Sequence, residues 1–390
     1  MTTAFISPQM LVWARERQHT KEEALARSLH LKPGKVREWE RGEAMPTLRQ
    51  AEKLAELLKI PLPFLYLKNP PSVELPLPDR RTMALREHPA PSTDLVDTAN
   101  AVKRKQDWYR DYRTSQLLPE LVFVASCRVD DDPLTVAARL AEGLALPTDH
   151  YRAAKSWTDH LGRLTRAAET AGILVFRSGI VGNNTRRTLD VSEFRGLAFS
   201  DKIAPAVFIN ARDSVSAQVF TLAHELAHLW IGESAATDAD VADEDMASWS
   251  ETERFCDRVA TEFLVPAASF GGDWKRMADP DEALQRLPQL YRVSSIMILR
   301  RAHELGFVSH AFFFDRLREE SGRARVTERS RKGGSFYNNF TSRNGRRLVG
   351  SIFESVSEGR TLYREAASIL EIKVGTLGRL LERASFAKGA

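Results

Sequence analysis

The residues best suited to chemistry are His224, Glu225 and His228, which stand in the run HELAH. Side chains four apart on a helix lie on one face, about 40° apart around the axis, so both imidazoles can bind one metal ion. Glu225 flanks the pair and can reach a water molecule on that ion. Such a carboxylate is the general base of zinc peptidases, because zinc acidifies the water and the carboxylate takes its proton. The competing interpretation is a solvated helix that carries two histidines by chance.

A second predicted helix, within residues 251–266, offers a third ligand for that metal. With a step of 100° per residue, Glu253 and Asp257 fall at the edge of its apolar face. A carboxylate at that edge is costly to bury unless a cation or a metal-bound histidine compensates it. Two His and one Glu leave a tetrahedral zinc ion one open position, which is the catalytic arrangement. Glu253 is therefore the predicted third ligand, and Glu251 and Asp257 are its rivals.

Asp257 also suits a supporting role, because it follows Glu253 by one helical turn. There it can accept the free N–H of a ligand imidazole and fix the tautomer of that ring. The alternative for either acid is a surface salt bridge to Arg254 or Arg258.

The residue that would stabilise an oxyanion is not singled out by the sequence. Zinc peptidases usually give this task to a His, Tyr or Arg. The candidates are His150, Tyr151, His160, His303 and His310. For each of them a structural role is the simpler interpretation.

The elements around these residues indicate an α+β fold, because helices and strands mix before the chain turns mostly helical. A long helix is predicted from Ser214 to Ile231, with Gly232 as its stop. Asp132 and Ser294 are predicted helix caps. Runs of β-branched and aromatic residues predict strands at 121–129, 172–180, 196–200 and 204–210.

Length and composition exclude several classes of protein. The chain has 390 residues, about two or three domains by length, and its 56 Lys and Arg against 52 Asp and Glu give +4. That balance excludes wholesale disorder and a heavily basic nucleic-acid coat. Cys127 and Cys256 cannot build a disulfide framework and suit a reducing compartment. With no signal peptide and no long apolar stretch, the sequence predicts a soluble cytoplasmic protein without membrane contact.

Five segments are predicted along the chain. Residues 1–67 form short helices, and the proline-rich residues 68–90 are a linker. Residues 91–275 hold the metal constellation in a zincin-like domain with a small sheet. Residues 276–320 are a helical, winged-helix-like extension. Residues 321–390 combine a basic loop with a C-terminal helical region that ends in a helix, a turn and a helix.

Four segments together resemble the ImmA/IrrE family of metallopeptidases: FTLAHELAHLW, ERFCDRVATEFLVP, APAVFIN and LPLPDRRT. The resemblance covers roughly residues 75–310 and is specific around 205–266. It implies Zn2+ at His224, His228 and Glu253, and catalysis by Glu225. It also implies cleavage of a transcriptional repressor, often in a stress or mobile-element response. The Glu-x-x-x-Asp spacing is similar to that of the thermolysin-like gluzincins, and Cys256 departs from the alanine more usual in the family.

Residues 1–67 resemble an XRE-type helix-turn-helix, with Trp39-Glu40-Arg41-Gly42 as its terminal signature and with Ala24, Leu25 and Leu29 packing on Val36 and Trp39. Such a module places its second helix in the major groove. By this analogy the DNA-facing residues are Lys21, Lys32, Lys35 and Arg37. Eleven Lys and Arg against eight Asp and Glu leave only +3, which is weak for a DNA reader. Gly34 stands at a recognition-helix position, and Lys21 replaces the usual Gln. The alternative is a domain kept for dimerisation or for gripping a repressor of like fold.

Charge is distributed unevenly in the second half of the chain. Residues 321–350 hold eight basic residues and one acid, a net of +7, with Phe336, Tyr337 and Phe340 among them. This mixture can bind a polyanion, although a solvated flexible loop is the commoner outcome. Residues 231–253 hold eight acids and no base, and the seven acids other than Glu253 are most simply a solvated surface loop.

The leading interpretation is a zinc-dependent endopeptidase that cleaves a regulatory, repressor-like protein and carries a DNA-binding module. The alternative is a DNA-binding transcriptional regulator or antitoxin-like repressor, in which the peptidase fold is a sensor with little proteolytic activity. A narrower third interpretation is an interaction protein that its basic C-terminal region recruits to nucleic acid. An oligomer is compatible with each of them.

Overall fold

A computed structural model describes residues 2–18, 20–71, 75–76, 91–237, 250–327 and 336–388. These residues divide into two compact units, one built from residues up to 97 and the other from residue 98 onward. None of the described helices combines the length and apolarity needed to cross a membrane.

The first unit is a small helical domain. Its α-helices are α1 (Pro8–Arg17), α2 (Glu22–Ser28), α3 (Lys35–Glu40) and α4 (Leu48–Leu57), followed by a 3-10 helix (Leu62–Tyr66). Thr47 begins α4 with a reciprocal capping box that includes Gln50, as helix-start chemistry favours. The α2 and α3 contacts centre on Leu25, Ala26, Val36 and Trp39, all buried. Ala26 therefore takes the buried place that the sequence assigned to Ala24, which is only half-buried.

The second unit begins within α5 (Thr93–Ser115) and continues with α6 (Pro133–Gly143), a 3-10 helix (His150–Ala153) and α7 (Trp157–Ala171). Four strands follow, interrupted by one helix: β1 (Leu174–Ser178), β2 (Gly196–Phe199), β3 (Ala206–Asn210), α8 (Val215–Ile231) and β4 (Ala235–Thr237). The sheet order is β1-β3-β2-β4. β3 runs parallel to β1 and antiparallel to β2, and β4 is antiparallel to β2. The α+β prediction is confirmed.

The rest of the second unit is helical. Its helices are α9 (Glu251–Leu264), α10 (Ala267–Lys275), α11 (Pro280–Tyr291), α12 (Ser295–Glu304), α13 (His310–Thr327), α14 (Phe336–Asn344), α15 (Arg346–Ser357), α16 (Tyr363–Ile369) and α17 (Val374–Lys388). Residues 276–320 contain helices and no strand, so the winged-helix-like extension has no wing.

α8 is buried on all sides, and its polar residues share one face of an otherwise apolar helix: Gln218, Thr221, His224, Glu225 and His228. Every residue from Gln218 to Trp230 is buried. The Ser214 hydroxyl accepts the N–H of Ala217 at the start of the helix, and Gly232 ends it with a φ of +82°. Both predicted ends are therefore present, and the helix places its polar side chains inside the protein core.

One predicted strand is wrong. Residues 121–129 form turns and irregular backbone, although they are rich in apolar residues. Their backbone donors go to the end of α8: Ala125 N–H donates to the Leu229 carbonyl, and Cys127 N–H to the Trp230 carbonyl. These bonds satisfy carbonyls that a helix end leaves without partners, so the segment caps α8 instead of joining the sheet.

The predicted basic loop is also wrong where it is described. Residues 336–344 and 346–350 are helical, α14 packs on β1, and Phe340 is buried. Phe340 is therefore a core residue and not a platform for bases. The predicted acidic loop falls mostly on residues 238–249, and the predicted linker mostly on 72–74 and 77–90, all outside the described residues.

Candidate metal centre

His224 and His228 lie one turn apart on α8 and point their rings at each other. Their Nε2 atoms are 3.1 Å apart, and neither side chain has exposed surface. Glu253 comes from the first turn of α9, where the Ser250 hydroxyl accepts its backbone N–H. The Glu253 carboxylate lies 3.1 Å from Nε2 of His224 and 3.3 Å from Nε2 of His228. The structure thus brings together the three residues that the sequence placed around a metal.

These distances fit a tetrahedral metal. Zinc holds nitrogen and oxygen ligands at about 2.0–2.2 Å, which places ligand atoms roughly 3.3 Å apart. The observed separations of 3.1, 3.1 and 3.3 Å match that spacing. The close contacts of both rings are made by their Nε2 atoms, and among the described residues the Nδ1 atoms have no hydrogen-bond partner, so it is the Nε2 atoms that face the metal position. Two imidazoles and one carboxylate therefore form a group that can hold a metal ion.

Asp257 occupies the supporting position on α9. Its Oδ1 lies 3.7 Å from Nδ1 of His224, beyond hydrogen-bond length, and both side chains are buried, so the interaction is little screened by water. Burial lowers the pKa of His224, yet Asp257 and Glu253 outweigh burial and raise that pKa to about 10. Burial in turn raises the pKa of Glu253, but the His228 and His224 rings hold it well below its ordinary value. The carboxylates of Glu253 and Asp257 thus stabilise positive charge at His224.

The acids of α9 differ in their burial and in their partners. Glu251 is exposed, whereas Glu253 is half-buried and Asp257 buried. The ion pairs of Glu253 and Asp257 go to His224 and His228, not to Arg254 or Arg258, which are exposed. Cys256, on the same helix, is a free and fully buried thiol, and burial raises its pKa.

Glu225 lies against the sheet. Its side chain is fully buried, and neither carboxylate oxygen has a hydrogen-bond partner among the described residues. β2 approaches it through Gly196: a Cβ on Gly196 would lie 2.2 Å from Glu225 Oε1 and 2.6 Å from the Thr221 methyl group. Burial raises the pKa of Glu225 to about 7, although the imidazoles of His228 and His224 oppose the rise. A carboxylate kept dry and without a partner is available for proton transfer.

Two parts of this arrangement were not predicted. Gly196 stands in a predicted strand, yet its contact with α8 depends on how the sheet packs on the helix, which no local pattern encodes. β4 pairs Thr237 with Gly196 and closes this side of the sheet. β4 has only three small residues, so the sequence does not predict a strand there.

The oxyanion candidates all have other partners. His150 Nε2 is 3.2 Å from the Phe263 carbonyl oxygen, and His160 Nε2 is 3.2 Å from His150 Nδ1. The Tyr151 hydroxyl donates to Ser269. His303 stacks on Phe313 and meets His310 edge to face. These are the structural roles that the sequence favoured for these five residues.

In the first unit, the proposed DNA-facing residues surround the turn between α2 and α3. Lys21 precedes α2 as its N-cap, and Lys32 is exposed in the turn. Lys35 pairs with Glu38 at 2.5 Å, and Arg37 with Glu22 at 2.8 Å. Gly34, with a φ of +84°, is the N-cap of α3 and lies outside the helix, so it does not displace a base-reading side chain from the helix.

Two family models match the chain. Residues 168–303 match the M78 peptidase model, described as the IrrE N-terminal-like domain. Residues 11–65 match the model described as helix-turn-helix. These matches confirm the resemblance to the ImmA/IrrE architecture with an N-terminal XRE-type domain, and the first of them contains the sheet, α8 and α9. No curated protein matches the chain.

Proposed function

We propose that the chain is a zinc-dependent endopeptidase that cleaves a regulatory, repressor-like protein in a stress or mobile-element response. The observation that carries the proposal is the spacing of the three ligand atoms, at 3.1, 3.1 and 3.3 Å. The M78 match supports a peptidase fold around them. The reducing interior of a cell suits two free, buried cysteines and is the proposed location.

Each polar residue of the site has one task in this proposal. His224, His228 and Glu253 hold the zinc ion, and Asp257 orients the His224 ring. A zinc ion at this place supplies Lewis-acid polarisation of a carbonyl and makes water more acidic. Glu225 takes the proton of the attacking water and returns it to the leaving amine. Among the described residues the Glu225 carboxylate oxygens have no hydrogen-bond partner, which supports this role.

The first unit is proposed to bind DNA through Lys21, Lys32, Lys35 and Arg37. The helix-turn-helix match supports this role. The two ion pairs of α3 do not oppose it strongly, because exposed ion pairs contribute only about 0–1 kcal/mol and exchange readily for phosphates. Dimerisation, or binding of a repressor of like fold, is the competing role for this unit.

A second candidate function is a DNA-binding regulator or antitoxin-like repressor with a peptidase-fold sensor and little proteolytic activity. One observation favours it: His224, Glu225 and His228 have no exposed surface. A peptide must therefore displace part of the protein before it reaches them. A sensor that only binds the metal needs no such opening.

Cleavage of candidate repressors separates the two functions. Zinc-loaded full-length protein is incubated with repressors encoded beside its gene, and cuts are mapped by mass spectrometry. We expect cuts by the wild type and by Glu233→Gln, an exposed glutamate beyond α8, but none by Glu225→Gln at equal zinc content. Equal cleavage by Glu225→Gln contradicts the catalytic role. Specific operator binding without any cut favours the regulator.

A further inference from the structure

The last helices of the chain repeat the local geometry of the first helix-turn-helix. α2 and α16 each have seven residues, and each is followed, after one residue, by a residue in the left-handed region. That residue is His30 in the first motif and Glu371 in the second, both with a φ of +55°. The offset is 371 − 30 = 341 residues. This left-handed helix end, with its backbone hydrogen bond, is a common one and also occurs at Lys59 and Ala145, so the resemblance of the two motifs depends on packing in the same register as well.

The hydrogen bonds of the two turns also correspond. Leu31 N–H donates to the Ala26 carbonyl at 2.9 Å, and Ile372 N–H to the Ala367 carbonyl at 2.9 Å. Both pairs keep the offset of 341. The residues before the two helices correspond as well, with a ψ of 146° at Lys21 and at Leu362.

Packing follows the same register. Several pairs of equivalent positions are buried in both motifs, including Leu25 and Ala366, and these positions join the two helices of a helix-turn-helix to each other. Further pairs are Ala26 and Ala367, Val36 and Leu377, and Trp39 and Leu380. The preceding helices agree too: Leu11 and Ala14 of α1 correspond to Ile352 and Ser355 of α15, all four buried. Three helices, α15 to α17, therefore form the motif.

A left-handed turn between helices is not sufficient for a binding site. Arg292, between α11 and α12, has a φ of +59°. In the helix that follows it, Met297, Ile298 and Leu299 are buried, and Glu304 is the one fully exposed residue. α17 differs, because Arg379 on this helix is exposed and Lys373 just before the helix is exposed too.

Among the described residues, the exposed charges of α17 and of the turn before it are Lys373, Arg379 and Arg383 against one acid, Glu382. Lys373 occupies the position that Lys32 has in the first motif, and Arg379 lies two turns further along the helix. The Asn183 amide donates to the Glu371 carbonyl, which holds an exposed loop with Arg186 beside the turn. Lys105 neutralises the Glu371 carboxylate at 3.1 Å. The acid nearest the turn therefore does not repel an anion.

We propose that α15 to α17 bind duplex DNA as a second helix-turn-helix, with α17 in the major groove and Lys373 and Arg379 near phosphates. Gly375 and Gly378 bring no side chain to this helix, so it offers few contacts to base edges. Phosphate contacts supply affinity without sequence information. The second motif therefore binds duplex DNA with little dependence on sequence.

The test uses the full chain with Lys32→Glu, which weakens the first motif, and a fluorescent duplex of random sequence. Binding is measured by anisotropy between 50 and 200 mM salt. Gly375→Glu adds a negative charge where a new Cβ meets nothing within 4 Å, so folding tolerates it. Gly272→Glu on α10 is the matched control, since it is also exposed and open.

We expect Gly375→Glu to weaken binding about 10-fold or more, and Gly272→Glu to leave it unchanged. A second variant, Arg379→Ala, should reduce the slope of log affinity against log salt by about 1, the value for one lost phosphate contact. Two results overturn the proposal. One is the loss of all binding on Lys32→Glu alone. The other is parental affinity and slope in both α17 variants.

Leu362 and Tyr363, at the start of α16, are exposed apolar residues and suit a protein partner instead. Sedimentation of the same variants distinguishes that case. Weaker self-association of Gly375→Glu at unchanged DNA affinity makes the face a contact between copies of the chain and overturns the DNA proposal.

Discussion

Gly196 and Glu225 meet where β2 crosses α8, and the glycine is what lets the carboxylate lie against the strand. A Cβ on Gly196 would be 2.2 Å from Oε1 of Glu225, closer than any two such atoms approach. The backbone of Gly196 pairs with Ile209 on one side and Thr237 on the other, so the strand cannot shift to make room. The position of the proposed general base therefore depends on a residue that has no side chain.

Gly196→Ala should abolish most of the proposed cleavage while leaving the metal ligands in place. The added methyl group displaces the Glu225 carboxylate, and loss of a positioned general base costs roughly 10²-fold or more in rate. Overpacking should also lower the free energy of unfolding by about 1–3 kcal/mol. Repressor cleavage and elemental analysis for zinc are the measurements. Gly272→Ala, where a Cβ meets nothing within 4 Å, is the control. If Gly196→Ala cleaves the repressor as fast as the wild type, the position of Glu225 does not depend on a glycine at residue 196.

Glu253→Gln should lose zinc, and Glu251→Gln should keep it. Both acids stand in the first turn of α9, but only Glu253 faces the two imidazoles. An amide oxygen has no charge to offset the dication, so the loss of affinity should exceed the 10–100-fold that removing a partner of a ligand costs. Competition with a chromophoric chelator gives both affinities. Equal zinc affinities in the two variants would remove Glu253 from the ligand set.

Local chemistry explains what could be predicted from the sequence. The side chains of the helix caps Asp132, Ser214 and Ser294 each accept a backbone N–H no more than three residues further along the chain, as expected. The 3.6-residue period likewise placed Glu253 and Asp257 on the buried edge of α9. These patterns depend on neighbours in sequence, which is why they could be read without a structure.

Tertiary partners explain what could not be predicted. An apolar run such as residues 121–129 is suited equally to a sheet and to a helix end, and the hydrogen bonds of Ala125 and Cys127 decide for the helix end. The basic composition of residues 321–350 suggests a solvated loop, yet Phe340 finds a buried place in α14 against β1. The final helix, turn and helix were predicted from the sequence, but the two motifs share little sequence, so their likeness to each other needs dihedral angles and burial.

Gly232→Ala should cost more stability than Gly306→Ala, although both glycines end helices with a positive φ. A left-handed alanine alone costs about 1–2 kcal/mol. A Cβ on Gly306 meets nothing within 4 Å, whereas one on Gly232 would lie 2.6 Å from the Ala125 Cβ. The clash with the segment that caps α8 adds about 1–3 kcal/mol. Urea unfolding of both variants measures the difference. Equal losses would mean that residues 121–129 do not pack on the end of α8.

His160→Gln should flatten the pH dependence of stability below neutrality. His150 Nε2 faces a carbonyl oxygen and must donate, so its Nδ1 accepts from His160 Nε2, and both rings are neutral. Burial, assisted by His150, lowers the pKa of His160 to about 3.

The folded-state pKa of His160 therefore lies below the unfolded value of about 6.5. Its stabilisation is complete above pH 6.5 and is lost as the pH falls toward 3, by up to about 1.4 kcal/mol per pH unit, because the unfolded chain binds the proton first. Glutamine keeps a donor for His150 and has no proton to gain. Between pH 7.5 and 5.5 the wild type should lose about 1 kcal/mol more than His160→Gln in urea unfolding. The difference between the two proteins cancels the titration of the groups that they share. His310→Gln, at an exposed histidine, is the matched control. Parallel pH profiles for wild type and His160→Gln would show that the buried pair is not held neutral.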